Sequence, residues 1–386
     1  MRALLIVNPR ATSTTRLRRD VIASALASAV QLEVTETRYR GHATMLASVA
    51  RSEGYGLVLT LGGDGTVNEA ANGILGRPLE RKEPADLPAL APLPGGSANV
   101  FTGALGLPRD PIDATGQILR ALAEHRDRTI GLGMADDRYF TFNSGLGLDA
   151  EVVRAVQGLR AHGQPVSTAL YVRLALRQFY RQTDRRHPSI AVELNGQRAD
   201  SEVFIAIVSN TAPWTYLGRR EVNANPQADF DTGLDVFALS KMSTISTFGA
   251  IGRMLTADSG GHLRGRNIVS YHDQACVTLR ASRPVAFQID GEYVGERETV
   301  VFRSVPKALR VLALGTAGGA SNSTPQWPRM ARSIFAIGAL RGGRRYAANL
   351  AIPIQVALLE RWIRTKRMDQ ARYVTDLTPK SALTFA

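Results

Sequence analysis

At 386 residues, 44% of them hydrophobic and 21% charged, the chain has room for two domains with buried cores, and its composition excludes a fibrous or low-complexity protein. A single cysteine, Cys276, excludes an intramolecular disulfide, and neither a signal peptide nor an apolar run of membrane-spanning length is present, so a cytoplasmic protein is expected. The net charge of +13 calls for an anionic partner; only five lysines occur and none follows a glycine, which excludes a G-K-[ST] phosphate loop.

In chain order, "ALLIV", "LEVTET", "GLVLTL" and "PALAPL" read as strands. Between them "RLRRDVIASALASAV", "HATMLASVARSEG" and "NEAANGIL" repeat apolar residues at helical spacing. Strands alternating with helices predict an α/β domain, residues 1–130, with a parallel sheet. From about Gly131 short β-type runs follow, among them "RYFTFNSGLG", "SIAVELNGQ", "EVFIAIVSN", "LDVFALS", "QACVTLRAS", "VAFQIDGEYV" and "ETVVFRS", with one helical interruption, "TALYVRLALRQFYRQT". "LNGQ" and "IDGE" favour hairpins, so residues 131–299 are expected to form an antiparallel, sandwich-like β domain. The chain is expected to return to the first domain around 300–316. A linker, "GTAGGASNSTPQWP", then opens a basic extension over 317–386.

The stretch "TLGGDGTVNE" surrounds Asp64 with Gly62, Gly63 and Gly65 between a strand and a helix. Glycines there can adopt positive φ and let a phosphate approach main-chain amides, with a helix N-terminus supplying donors. Asp64 would repel that phosphate unless Mg²⁺ lies between them; the alternative is a tight turn with Asp64 as a helix cap. "PLPGGSANVFTGALGLP" repeats the design with Gly95, Gly96 and Ser97, where Ser97 is either an N-cap or a phosphate donor. Two such turns at one edge of a parallel sheet converge on one crevice.

These two motifs, with "IVNPRA", "NSGLGLDAEVV" and "IDGE" in the same order, resemble the diacylglycerol kinase catalytic domain family, in its soluble bacterial branch, over roughly residues 1–316. "TRYRGHA", "PWTYLG" and "DTGLDVFAL" are similar to actinobacterial members. The resemblance implies ATP-dependent phosphorylation of a lipid hydroxyl, with the nucleotide in the cleft between two domains. It places nucleotide contacts on Asn8, Gly62, Gly63, Asp64, Gly65, Thr66, Asn68, Glu69, Gly96 and Ser97, and Mg²⁺ on Asp64. The base falls on Asp290 and a companion acid on Glu292. A second metal would be held partly by Asp231, although Thr232 stands where the family carries a carboxylate.

From the residues themselves, Asp290 sits on a tight turn from which a side chain can project into a cleft. Asp149 reads as a turn or helix cap, Trp214 and Tyr216 as packing aromatics, and none of the six histidines has metal-ligand spacing. The competing functions are a kinase of a sphingoid base, ceramide or NAD, and a non-catalytic basic binder of membrane or nucleic acid. No nucleic-acid recognition pattern supports the last.

The final 69 residues, from Gly318, carry eleven basic against three acidic residues. There Ile354, Leu358, Leu359, Trp362 and Ile363 form an apolar stripe beside Arg361, Arg364, Lys366 and Arg367, which suits the inner face of an anionic membrane. A homodimer is compatible with the family resemblance.

Overall fold

In the computed structural model the described residues are 1–77, 83–161, 168–181, 184–257, 261 and 263–312. They belong to one compact unit, Met1–Gly318. The basic linker and amphipathic helix expected over 317–386 lie outside the described residues.

The first part runs β1 (Arg2–Val7), α1 (Arg16–Ala27), β2 (Gln31–Glu36), α2 (His42–Ser52), β3 (Leu57–Gly62), α3 (Asp64–Leu75), β4 (Ala89–Pro94), α4 (Val100–Ala104) and α5 (Pro111–Ala123). All four strands pair in parallel, in the order β4-β3-β1-β2. β3 and β4 are buried at every position, as expected of central parallel strands covered on both faces. Alternate side chains go to opposite layers. Leu4, Ile6, Val58 and Leu90 pack with Val67, Ala70 and Ile74, whereas Leu5, Leu57, Leu59 and Leu93 pack with Ile22, Leu26 and Ile118. Local chemistry starts the helices: Thr15 accepts from Arg18 N, and Asp110 accepts from Ile112 N and Asp113 N ahead of Pro111.

The second part runs β5 (Arg128–Ala135), β6 (Arg138–Phe140), β7 (Asn143–Gly147), α6 (Leu148–Ala161), α7 (Thr168–Arg181), β8 (Ile190–Leu194), β9 (Gln197–Val203), β10 (Ile205–Ser209), β11 (Thr215–Leu217), β12 (Arg220–Val222), β13 (Leu234–Leu239), α8 (Thr244–Thr256), β14 (Ile268–Gln274), β15 (Cys276–Ile289) and β16 (Glu292–Val311). Its strand pairings are antiparallel, with β15 and β16 the longest. Three helices interrupt the strands where one was expected. "QACVTLRAS" and "VAFQI" are one strand, because β15 continues through a register shift between Arg280 and Val285 instead of ending there.

Both "LNGQ" and "IDGE" form two-residue hairpins. Asn195 and Gly196 have φ of 51° and 84°, and Asp290 and Gly291 have φ of 47° and 71°, the paired left-handed geometry of a type I′ turn. From the second hairpin β16 runs 20 residues to Val311, which pairs in parallel with Leu90 of β4. One sheet therefore passes from the antiparallel region into the parallel one, and β16 ties the "IDGE" turn to the strand beside β3.

Candidate active site

β3 ends at Gly62 and α3 begins at Asp64, so a single residue, Gly63, makes the turn. The second glycine turn lies directly against it: Gly95 N donates to Gly62 O at 2.7 Å. A Cβ on Gly96 would come within 2.6 Å of Gly63 Cα, and one on Gly95 within 2.8 Å of Gly62 N. These glycines are required by contact between two main chains. None of Gly62, Gly63, Gly65, Gly95 and Gly96 has positive φ, which corrects the expected reason for glycine here. Gly65 is different: a Cβ there would meet nothing within 4 Å, and the residue is exposed in the first turn of α3. Of these five glycines, Gly65 alone leaves its main chain open to an approaching group.

Asp64 turns away from its own helix. Its Oδ1 accepts from Phe101 N at 3.1 Å in the first turn of α4, so the carboxylate itself is the anion at that N-terminus. The preceding Asn99, at φ 52°, exchanges two hydrogen bonds with the main chain of Gly96, its Oδ1 accepting from Gly96 N at 2.8 Å and its Nδ2 donating to Gly96 O at 2.9 Å. Asn99, not Ser97, occupies the N-cap position of α4, but its side chain makes no bond to that helix, and the Gly96 amide expected to hold nucleotide is already engaged. Burial, reinforced by the nearby Asp290 carboxylate, pushes Asp64 up to about 6.

The other residues of the first motif organise the mouth of the cleft. Asn8 donates to Thr66 Oγ1 at 3.2 Å and accepts from Arg10 N at 3.0 Å, fixing the β1 turn against α3. Glu69 was expected to contact nucleotide. Its two oxygens instead accept from Gly41 N and Ala43 N, at 2.8 and 3.1 Å, capping α2, whose own N-cap is a left-handed glycine without a side chain. His42 is buried there and its Nδ1 accepts from Arg38 N. Glu69 thereby holds the loop that presents Arg38 and Arg40.

The "IDGE" turn separates its two acids. Asp290 is 5% exposed, and its carboxylate accepts five hydrogen bonds: from Asn68 Nδ2, Thr141 N and Thr141 Oγ1 at 2.7–2.8 Å, and from Phe142 N and Asn143 N at 3.0 and 3.2 Å. Burial pushes the carboxyl upward against these donors. The expected projection of Asp290 into a cleft is thus corrected. At positive φ its side chain folds back to satisfy amides between β6 and β7 that have left their ladder.

Glu292 faces the other way. Its Oε1 pairs with Arg40 Nε at 2.7 Å and its Oε2 with Arg138 Nη2 at 2.8 Å. Arg138 also donates to Asn68 Oδ1, so Asn68 on α3 joins Asp290 to the arginine that holds Glu292. Glu292 lines a pocket of about 260 Å³ with Asn8, Arg10, Thr37, Arg38, Gly65 and Thr66, and Tyr39, Arg40 and Glu69 complete its wall. The pocket brings the N-terminus of α3, three arginines and two carboxylates, Glu69 and Glu292, to one place, with both sequence motifs represented.

Asp231 does not reach this place. It is an exposed carboxylate 2.8 Å from Arg128 Nη2, which also lies 3.8 Å from Asp229. A fixed cation stands where the resemblance implied a second metal, which corrects that assignment. Among the described residues no group of three His, Cys, Asp or Glu could hold a metal ion. Asp149 lies in the first turn of α6 and accepts from Gln288 Nε2 at 2.9 Å. Tyr216 packs under Arg109, 4.3 Å from its ring centroid.

Sequence reasoning missed Thr37, Arg38, Arg40 and Arg138. "TRYRGHA" carries two arginines one residue apart just before a helix start, and that spacing was a usable signal. Arg138 offered none, because its partner Glu292 is 154 residues away.

Residues 2–132 match the model of the diacylglycerol kinase catalytic domain, and residues 144–313 match that of the YegS C-terminal NAD kinase beta sandwich-like domain. Over residues 2–132 the chain is therefore similar to the diacylglycerol kinase catalytic domain. The chain is 26% identical over 304 residues to a diacylglycerol kinase of Bacillus subtilis, covering 76% of this chain and 90% of the relative. It is 33% identical over 151 residues to a probable lipid kinase YegS-like protein of Chromohalobacter salexigens, covering 39% and 45%. A crystal structure of a diacylglycerol kinase from Bacillus anthracis shares the fold, with a TM-score of 0.60 at 20% identity over 81% of this chain and 96% of the other.

Proposed function

We propose that the chain is an ATP-dependent lipid kinase that converts diacylglycerol to phosphatidic acid, with Glu292 as the proton acceptor. The observation that carries this reading is the pocket in which Glu292 faces Gly65, Thr66 and three arginines. Arg10, Arg38 and the open first turn of α3 would bind the phosphate chain of ATP, held in register by Asn8 and Thr66. The lipid hydroxyl oxygen bonds to the γ-phosphorus as the bridging oxygen to ADP leaves, and Glu292 takes the hydroxyl proton. Asp290, sealed by five donors, positions the turn that presents Glu292.

Asp64 fits Mg²⁺. Among the described residues it has no ion-pair partner, and it lies near a second carboxylate, so the site lacks a cation. Mg²⁺ bound with the nucleotide would neutralise phosphate charge, one carboxylate being enough when phosphates and waters supply the other oxygens. The residues at Asp231 do not fit a metal.

The test is Glu292→Gln assayed with Mg-ATP and vesicular diacylglycerol. A loss of about 10²–10⁴-fold in kcat with nucleotide binding retained is expected, and near wild-type turnover would sink the role of Glu292. The wild type, offered diacylglycerol, a sphingoid base, ceramide and NAD, should prefer the first; phosphorylation of NAD alone would overturn the lipid reading. No helix among the described residues is long and apolar enough to cross a membrane. We propose peripheral association through the basic residues 318–386, and truncation after Gly319 in the same vesicle assay should lower turnover on vesicles more than on a water-soluble analogue.

A further inference from the structure

Before nucleotide arrives each oxygen of Glu292 already accepts from a guanidinium, so an incoming hydroxyl must share Oε1 with Arg40 or Oε2 with Arg138. The two arginines are not equivalent. Arg138 is 29% exposed in its side chain and is held a second time by Asn68 Oδ1, at 2.7 Å from Nη2 and 3.2 Å from Nε. Arg40 is 62% exposed, and it rises from the loop between β2 and α2. That loop also presents Arg38 to the pocket, and Gly65 and Thr66 of α3 line the same space. Arg40 therefore stands between two anionic positions: a carboxylate it already touches and the place where a phosphate chain would lie.

Resting on the kinase reading above, we propose that Arg40 is a phosphate-released latch. It pairs with Glu292 in the free enzyme and passes to the phosphate chain when nucleotide binds. A triphosphate carries more charge than a carboxylate and accepts a guanidinium in the same two-pronged geometry, so the exchange favours the nucleotide. Movement of Arg40 frees Oε1 to accept the hydroxyl proton. Arg138, fixed by Asn68, keeps Oε2 oriented throughout. The base is then uncovered only when the phosphoryl donor is present. Arg40 acts here as a positioning residue for Glu292 and as a ligand of the phosphates.

A double-mutant cycle on the full chain tests the latch, with Mg-ATP affinity read by calorimetry and thermal unfolding as the control for folding. Arg40→Gln should weaken Mg-ATP by about tenfold, the value of one lost charged contact. Glu292→Gln should tighten it, because Arg40 no longer has to leave a partner. The sign of the coupling decides the matter. With Arg40 present the gain should be about fivefold, and in the Arg40→Gln background under about twofold, since only the removed charge remains to help. If Arg40 stays on Glu292 it shields that charge, and the gain is then smaller with Arg40 than without it. That reversed sign, or an Arg40→Gln protein with wild-type affinity, overturns the latch while leaving the kinase reading intact if the wild type still turns over diacylglycerol. A wild type that binds no Mg-ATP overturns both. Arg40→Lys, which keeps the charge and loses the fork, should fall between wild type and Arg40→Gln in affinity; a value equal to Arg40→Gln would count against phosphate contact by charge.

Discussion

The β3–α3 turn and the β15–β16 turn use their acids in parallel ways. In each, an aspartate folds inward onto main-chain amides, Asp64 onto α4 and Asp290 onto the link between β6 and β7, while a neighbour faces the pocket. They differ in how completely the aspartate is engaged. Asp290 is 5% exposed with five donors around it, whereas Asp64 is only half-buried and has no ion-pair partner among the described residues. A carboxylate in a motif is available for chemistry only to the extent that the surrounding backbone has left its oxygens free. The next residue that faces out, Glu292 or Gly65, can matter more.

Asp290→Asn breaks the comparison hardest. The amide presents an N–H₂ to a site that already converges donors, leaving buried groups unpaired, so about 3 kcal/mol or more of stability should be lost. Denaturant unfolding measures it. A stable Asn variant that has lost only turnover would instead restore Asp290 as the base. Gly96→Ala comes next, because its Cβ would lie 2.6 Å from Gly63 Cα, and overpacking two main chains should cost about 2 kcal/mol. Its counterpart, Gly65→Ala, meets nothing within 4 Å and should leave the melting temperature level or slightly higher while weakening Mg-ATP roughly tenfold. Equal stability losses in the two variants would show that both turns are purely structural.

The smallest effect is a pH dependence at Asp64. Its folded pKa of about 6 lies above the ordinary 3.8, so the folded protein holds a proton there that the unfolded chain releases. The stability this contributes is fully present below about 3.8 and is lost as pH rises through about 6. Relative to Asp64→Asn, which does not titrate, the wild type should lose stability between those values. A flat difference would mean that the α4 amides, or an unnoticed cation, hold the carboxylate in its ordinary range.

Much of the fold was legible because it rests on local chemistry. The continuous apolar runs of β1, β3 and β4 marked central parallel strands, and the Asn-Gly and Asp-Gly pairs marked hairpins before any contact was known. The helices α6 and α8 escaped because they sit between strands in a region whose overall texture is β. At the site, spacing located the turns but not the direction of their side chains. Whether Asp290 points in or out depends on unpaired amides at Thr141, Phe142 and Asn143, about 150 residues earlier. Glu69 likewise reads as a nucleotide contact and does line the pocket, but the bare start of α2, with a left-handed glycine as its cap, claims its oxygens.

The pairing of Val311 with Leu90 has a consequence for how the protein is made. β4, buried along its whole length in the finished molecule, has emerged from the ribosome long before its neighbour β16 exists. Until some 220 further residues are synthesised, the parallel sheet presents an unpaired apolar edge, the kind of surface on which nascent chains associate. Closing the loop between residues 90 and 311 is also a late contact of very long sequence separation, which slows folding. The strand that carries Glu292 at one end is therefore, at the other, the last neighbour that β4 receives, and neither the pocket nor this pairing can be complete on a chain that stops before it.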